Sequence, residues 1–370
     1  MRIAFPLTTP ACIVTFLLAW GASTLLGAEP VLLTGPEFNT AIQPQVAVEG
    51  KLVYVVFGTK EGSILSARST NSAVSFDVPR KVDRLDTLAL GMRRGPRIAT
   101  VAGRVVITAI SHGTGNVYAW SSDDQGGSWS KKKQINDVER SAREGLQALA
   151  SDGQTNLFAA WLDLRNGKTE LWGAKSADGG KTWKPNVFIY RSPAGHICEC
   201  CHPSLTFSAD GKIFAMWRNW DGAARDMYWS SSADGKTFGP GSKSGSGSWI
   251  LKACPMDGGS LASGPNGQLV SVWRRNTSIF AAAQDQPEVR LAGQGTQPVL
   301  IANANATNVL WTSGAKIWLK RGFASDASPE LLTEQGTYPS AAFLEDQRSF
   351  IVAWQSAEGG RPGIFAVRMR

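Results

Sequence analysis

Apolar and polar residues alternate with a period of two in short runs, and the runs recur along the chain. They end on a large apolar residue at Phe57, Ile110, Trp161, Trp217, Trp273, Trp311 and Trp354. Such alternation belongs to a β-strand, whose successive side chains point to opposite faces. Most runs follow a turn signal such as Glu49-Gly50, Ala102-Gly103, Asp210-Gly211 or Asn266-Gly267. Before each turn lies another short apolar strand, often opened by proline: Pro44, Pro96, Pro203, Pro298 and Pro339. Successive units lie about 40 to 56 residues apart, the range of four-stranded propeller blades. The expected fold is therefore all-β, a β-propeller of four-stranded blades. Seven blades are favoured and six are the alternative, in one domain over residues 29–370.

The last unit stops after its third strand, at Arg370, and a free apolar run at residues 30–34 precedes the first complete unit. Its PVLLTG is similar to PELLTEQG at 329–336, which leads from one unit into the next as a fourth strand. The N-terminal run is predicted to complete the C-terminal blade. That pairing closes the ring and removes exposed sheet edges.

A second repeat follows the third strand of several units. Residues 122–129 read SDDQGGSW and residues 176–183 read SADGGKTW, both fitting S-x-D-x-G-x-[ST]-W. Residues 232–238, SADGKTF, are one residue shorter, and residues 69–76 carry Asn71 in place of the aspartate. Asp124, Asp178 and Asp234 are expected to accept backbone N–H groups of a tight hairpin, with glycine supplying positive φ. Trp129 and Trp183 should pack into the blade. These repeats resemble the Asp-box, or BNR-repeat, propellers, the superfamily that includes bacterial exo-alpha-sialidases, and the resemblance covers nearly all of the chain beyond residue 28. It implies that the box aspartates are structural, because the boxes of that superfamily lie away from the active site.

Composition adds a compartment. Arg2 is the only base ahead of an apolar stretch from Ala11 to Leu26, and Gly27-Ala28 supplies small residues, so residues 1–28 read as a signal peptide. A secreted or periplasmic protein is expected, with no transmembrane segment after signal removal. The formal charge is +8, but the longest basic run is Lys131-Lys132-Lys133. No nucleic-acid partner is therefore expected; the excess reads as solubility plus an anion site.

In a four-stranded blade, the loop into the next blade shares a face with the loop between strands two and three, and the boxes lie opposite. That face collects Arg93, Arg94, His112, Arg140, Arg143, Glu144, Asp163, Arg165, His202, Arg218, Arg225, Asp226, Asp257, Arg274 and Arg275. Arginine outnumbers acid there and lysine is nearly absent. The planar guanidinium fork suits carboxylate, sulfate or phosphate, so an acidic carbohydrate or other anionic ligand is expected, bound by a monomer.

The sialidase resemblance assigns roles on this face. That family opens an inner strand with Arg-Ile-Pro, whose arginine grips the substrate carboxylate; here Arg94-Gly95-Pro96 has proline in the matching register. Arg94 is thereby implied as a substrate ligand. Arg143 and Arg274, chosen for wide separation around the ring, are candidates for the two further arginines, with Arg218 and Asp257 on the same face. The family's tyrosine nucleophile corresponds to Tyr338, followed by Pro339 where the family has serine, and Glu144 is its candidate partner. No aspartate fits the general acid, since Asp83 and Asp86 lie in no recognisable motif. The implied function is a sialidase-like glycoside hydrolase acting on a carboxylate-bearing sugar. The alternatives are a non-catalytic propeller binding an anionic ligand or protein partner, or a metal- or redox-active one.

The last alternative rests on Cys198-Glu199-Cys200-Cys201-His202, which enters the fourth blade, and Cys254-Pro255-Met256-Asp257, which enters the fifth. Cys12 falls in the stretch read as a signal peptide; in an oxidising compartment the four remaining cysteines suggest two disulfides, one tying the two blades through Cys254. Cys198, Cys201 and His202 also fit the CxxCH of c-type haem attachment. A soft-metal site would draw on the same cysteines with His196, His202 and Met256. No cofactor is expected otherwise.

Overall fold

The computed structural model describes residues 29–323, 326–356 and 362–370; the stretch read as a signal peptide lies outside them. Seven antiparallel four-stranded sheets follow one another along the chain. Their inner strands are Ala41–Glu49, Arg97–Val101, Gln147–Ser151, Ser204–Phe207, Ser260–Ser263, Thr296–Ala302 and Thr337–Phe343, which open blades 1 to 7. Each inner strand touches the next, and the seventh touches the first. The ring is closed with seven blades, so the six-blade alternative is discarded.

Closure happens as the sequence predicts. Val31 pairs with Ala366 and Leu32 with Phe365 on the strand Gly363–Met369. Leu33 N–H donates to the Ile364 carbonyl (2.8 Å), and Ile364 N–H to Thr34 Oγ1 (3.1 Å). An extended apolar run from one end of the chain thus covers the sheet edge left by the other end.

The recurrent large residues sit on the second strand of each blade. Phe57, Ile110, Trp161, Trp217, Trp273, Trp311 and Trp354 are each at most 2% exposed. Neighbouring blades stack face to face, so second strands are buried on both sides and read as continuous apolar runs such as LFAAWL at 157–162. Between blades 1 and 2, Tyr54, Val56 and Ile64 meet Ile98, Ile107 and Trp120. Truncating any of the buried tryptophans to alanine would cost about 3–5 kcal/mol.

The repeated loops between third and fourth strands share one hydrogen-bond scheme. Asp124 Oδ1 accepts from Ser128 N–H (2.8 Å) and Ser122 Oγ (2.7 Å), while Gly126 N–H donates to Ser122 Oγ (2.7 Å). Asp178 accepts from Thr182 N–H (2.9 Å) and Ser176 Oγ (2.8 Å). Asp234 accepts from Lys236 N–H (2.8 Å) and Ser232 Oγ (3.2 Å). Asn71 Oδ1 accepts from Ser75 N–H (2.9 Å) and Ser69 Oγ (2.9 Å). An amide oxygen serves as well as a carboxylate, which explains how Asn71 keeps the loop. Trp129 and Trp183 pack against the cores of their blades. Among the described residues, no helix is long and apolar enough to cross a membrane.

Candidate functional site

Three blades open with the same turn. Gln43-Pro44, Gln297-Pro298 and Tyr338-Pro339 start blades 1, 6 and 7, and the residue before each proline has φ of 59°, 54° and 53°. A register shift follows in each strand pair, between Ile42 and Gln45, Thr296 and Val299, and Thr337 and Ser340. These positive φ values lie outside the extended region that a following proline favours, and the bulge re-aims that residue's side chain. Tyr338 therefore owes its backbone to a blade-entry turn that two glutamines share. The two glutamines escaped the sequence analysis, although the common X-Pro pattern could have found them.

The arginines behind these turns are bound to backbone oxygens. Arg93 reaches from the start of blade 2 to blade 6, donating from Nε to Gln297 Oε1 (2.8 Å) and from Nη2 to the Gln297 carbonyl (2.9 Å). Arg97 donates to the carbonyls of Gln147 (3.2 Å), Arg94 (2.9 Å) and Arg93. Arg218 is 1% exposed and holds the carbonyls of Asp257 (2.9 Å), Arg225 (2.7 Å) and Arg274 (3.0 Å). Burial lowers the Arg93 guanidinium to about 10. Burial, with Arg93 alongside, lowers Arg97 to about 9. Asp257, fully buried, accepts the Gln297 N–H (2.9 Å) and lies 3.6 Å from Arg274. Burial still pushes its carboxyl up. His202 Nδ1 accepts the Gly258 N–H (3.3 Å), and burial beside Arg93, Arg97 and Arg218 holds the imidazole far below its usual range.

These groups form a layer of cross-braces at the axis. The channel beside it, lined from every blade, measures about 220 Å³, smaller than the roughly 300–1,000 Å³ of sites that bury a small-molecule ligand. Arg218 and Asp257, expected to meet substrate, are buried in the brace. Arg274 donates to the Asn276 carbonyl (2.7 Å) and lies over Trp249 at 5.4 Å, on the side of blade 5.

A different group stays uncommitted at the mouth. Arg94 donates Nε to the Glu144 carbonyl (2.7 Å), and its two terminal nitrogens make no hydrogen bond among the described residues. The Glu144 carboxylate, the Tyr338 hydroxyl and the exposed Arg143 guanidinium are likewise without hydrogen bonds among the described residues. Arg94 lies within electrostatic reach of both Glu144 and Tyr338. Burial raises the Glu144 carboxyl, Arg94 opposes that rise, and Glu199 adds to it. His112 Nδ1 meets the Arg143 carbonyl at 3.2 Å. Gly145 makes this proximity possible: its φ is 75°, and a Cβ there would lie 2.7 Å from His112 Cε1 and 3.0 Å from Arg94 Cδ. Arg94, Arg143, Glu144 and Tyr338 are therefore brought together, and His112 joins them.

The cysteine loops meet as neighbours. Cys200 and Cys254 are disulfide-bonded across the entries of blades 4 and 5, whereas Cys198 and Cys201 are buried and unbonded. One disulfide is present where two were expected. The Cys198 thiol is lowered to about 6 by its hydrogen-bonded contact with Cys201, against burial and with Arg218 and Arg225 nearby. The haem reading does not fit, because His202 is buried with Arg93, Arg97 and Arg218 around it.

No protein-family model matches the chain, and no curated protein does either. Solved structures do. An α-L-arabinanase from Penicillium chrysogenum, complexed with arabinobiose, is 13% identical with a TM-score of 0.51, over 93% of this chain and 98% of that one. A virginiamycin B lyase from Staphylococcus aureus, with quinupristin, is 10% identical with a TM-score of 0.56, over 92% and 98%. An ulvan lyase is 11% identical with a TM-score of 0.52, over 90% and 92%. Likeness at this identity concerns the fold alone; activity has to be read from the site.

Proposed function

We propose that the protein binds an acidic saccharide, outside the cytoplasm, at the mouth formed by Arg94, Arg143, Glu144 and Tyr338. One observation carries this reading: Arg94 keeps both terminal nitrogens without a hydrogen bond among the described residues, while Arg93, Arg97 and Arg218 are tied to backbone carbonyls. A free fork fixed through Nε is preorganised for a bidentate carboxylate. Tyr338 supplies an aromatic face beside it, while the Gln43 and Gln297 amides are taken up by Gly91 N–H and by Arg93 and the Met256 carbonyl. That arabinanase and ulvan lyase structures use similar propellers agrees with a saccharide ligand.

A second reading, sialidase-like hydrolysis, is favoured by Arg94 standing within reach of both Glu144 and Tyr338. A carboxylate with a raised pKa is a better proton acceptor for a phenol attacking a sugar. The general acid is the missing part. Asp83 Oδ2 accepts the Trp120 indole N–H (2.8 Å), and Asp86 lies 3.6 Å from Arg84.

Calorimetric titration with sialic acid and uronate oligosaccharides, run beside hydrolysis of a fluorogenic sialoside, separates the two readings. Binding lost in Arg94→Ala, without turnover, supports the lectin-like function. Turnover lost in Tyr338→Phe supports the hydrolase. Binding of neutral and acidic sugars alike, unchanged in Arg94→Ala, would refute both.

A further inference from the structure

We infer that Cys198, Cys200 and Cys201 form a three-thiolate site for Cu(I), opened when the Cys200–Cys254 disulfide is reduced. The three sulfurs lie within 4.8 Å of one another, and all three residues are buried. Cys198 Sγ is 3.1 Å from Cys201 Sγ and 3.5 Å from Cys200 Sγ, and Cys200 Sγ is 3.9 Å from Cys201 Sγ. With metal–sulfur bonds of about 2.3 Å, the edges of a trigonal three-sulfur site are about 4 Å. The cluster needs only small adjustments to reach that shape.

The surroundings suit a metal thiolate. The backbone amides of Cys200 and Asp257 lie close enough to Cys198 and Cys201 respectively to favour their thiolates, as outer-shell groups around thiolate ligands do. Three thiolates with Cu(I) carry two negative charges. Arg218 and Arg225 lie within electrostatic reach of Cys198; Arg225 Nη1 stands 3.6 Å from Glu199, and its Nε is buried without a hydrogen-bond partner among the described residues. Three soft sulfurs select Cu(I), whereas structural zinc takes four ligands.

The disulfide has one accessible end. Cys254 is exposed and Cys200 is buried. A thiolate of a dithiol donor attacks Cys254 Sγ, breaking its bond to Cys200 and releasing the Cys200 thiolate into the cluster. The donor's second thiol then resolves the mixed disulfide; the donor leaves as its own disulfide, and Cys254 becomes a thiol. Cu(I) then displaces the protons remaining on the three sulfurs.

The test is anaerobic Cu(I) titration of the full mature chain against a chromogenic chelator, with far-UV circular dichroism as the folding control. Oxidised protein should bind none, and dithiol-reduced protein one Cu(I) per chain. Cys198→Ser and Cys201→Ser should weaken binding about 100-fold or more, a loss of roughly 2.7 kcal/mol. Cys254→Ser leaves Cys200 free and should bind Cu(I) without reduction. No uptake by folded Cys254→Ser, a Cys198–Cys201 disulfide in the peptide map of that variant, or uptake of zinc in preference to Cu(I) would each overturn the proposal.

Discussion

Replacing Arg218 by methionine separates bracing arginines from ligand arginines. In the native protein its guanidinium satisfies the carbonyls of Asp257, Arg225 and Arg274 at 2.9, 2.7 and 3.0 Å. Methionine fills much of the space but donates nothing, so these carbonyls lose their partner, that of Asp257 in a buried setting and those of Arg225 and Arg274 in a half-buried one. Each unsatisfied buried acceptor costs about 1–3 kcal/mol. At the lower end the sum is about 3 kcal/mol, because relief from burying the guanidinium offsets part of the loss. Arg94→Met removes one bond, to the Glu144 carbonyl at a half-open surface, and should cost less than about 1 kcal/mol. Equilibrium urea unfolding followed by tryptophan fluorescence reads both values. Arg218→Lys should recover less than half the loss, since an ammonium cannot span three carbonyls in one plane. A loss under about 1 kcal/mol for Arg218→Met, or an equal loss for Arg94→Met, would refute the division.

Three further outcomes are expected. The raised Glu144 carboxyl repels an anion when ionised, so affinity for an acidic sugar should rise about fivefold as pH falls through the Glu144 titration; the rise should be absent from binding isotherms of Glu144→Gln. Asp178 is pushed up by burial but lowered more by Thr182 and Ser176, so its contribution is present above the unfolded carboxylate range near 4 and lost as pH falls through the lower folded value. Asp178→Ala should accordingly cost about 0.5–1 kcal/mol near pH 7, as loss of an exposed cap does, and progressively less as pH falls through the folded value, measured by urea unfolding. Leu33→Asp, which buries a charge at a position 6% exposed, should cost about 3 kcal/mol and loosen the last blade to proteolysis, whereas Val31→Asp, at 41% exposure, should be nearly neutral.

The ring was legible because its cause is periodic. Trp161, Trp217, Trp273, Trp311 and Trp354 recur wherever a second strand is buried on both faces, and the run at residues 30–34 had an evident vacancy to fill. The third-to-fourth-strand loops were legible because their hydrogen bonds join residues four or fewer apart. The mouth was legible only as a list of residues sharing a face. Arg93 and Arg94 are adjacent, yet one spans the axis to Gln297 while the other keeps its fork free, a difference set by partners about 200 residues and 50 residues away. Arg218 looked equally available, but it ends a buried strand, and the carbonyls it braces come from loops that meet only in the closed ring. The disulfide shows the same limit, since four cysteines permit several pairings and only the packing of blades 4 and 5 selects Cys200 with Cys254.

The most direct test is a crystal structure of the protein with an acidic sugar bound. The account predicts the sugar carboxylate within about 3.2 Å of both terminal nitrogens of Arg94, with Tyr338 and Arg143 at the rim of the same sugar. A carboxylate seated on the opposite face, among the Asp124 and Asp178 loops, or held by arginines other than Arg94, would contradict it.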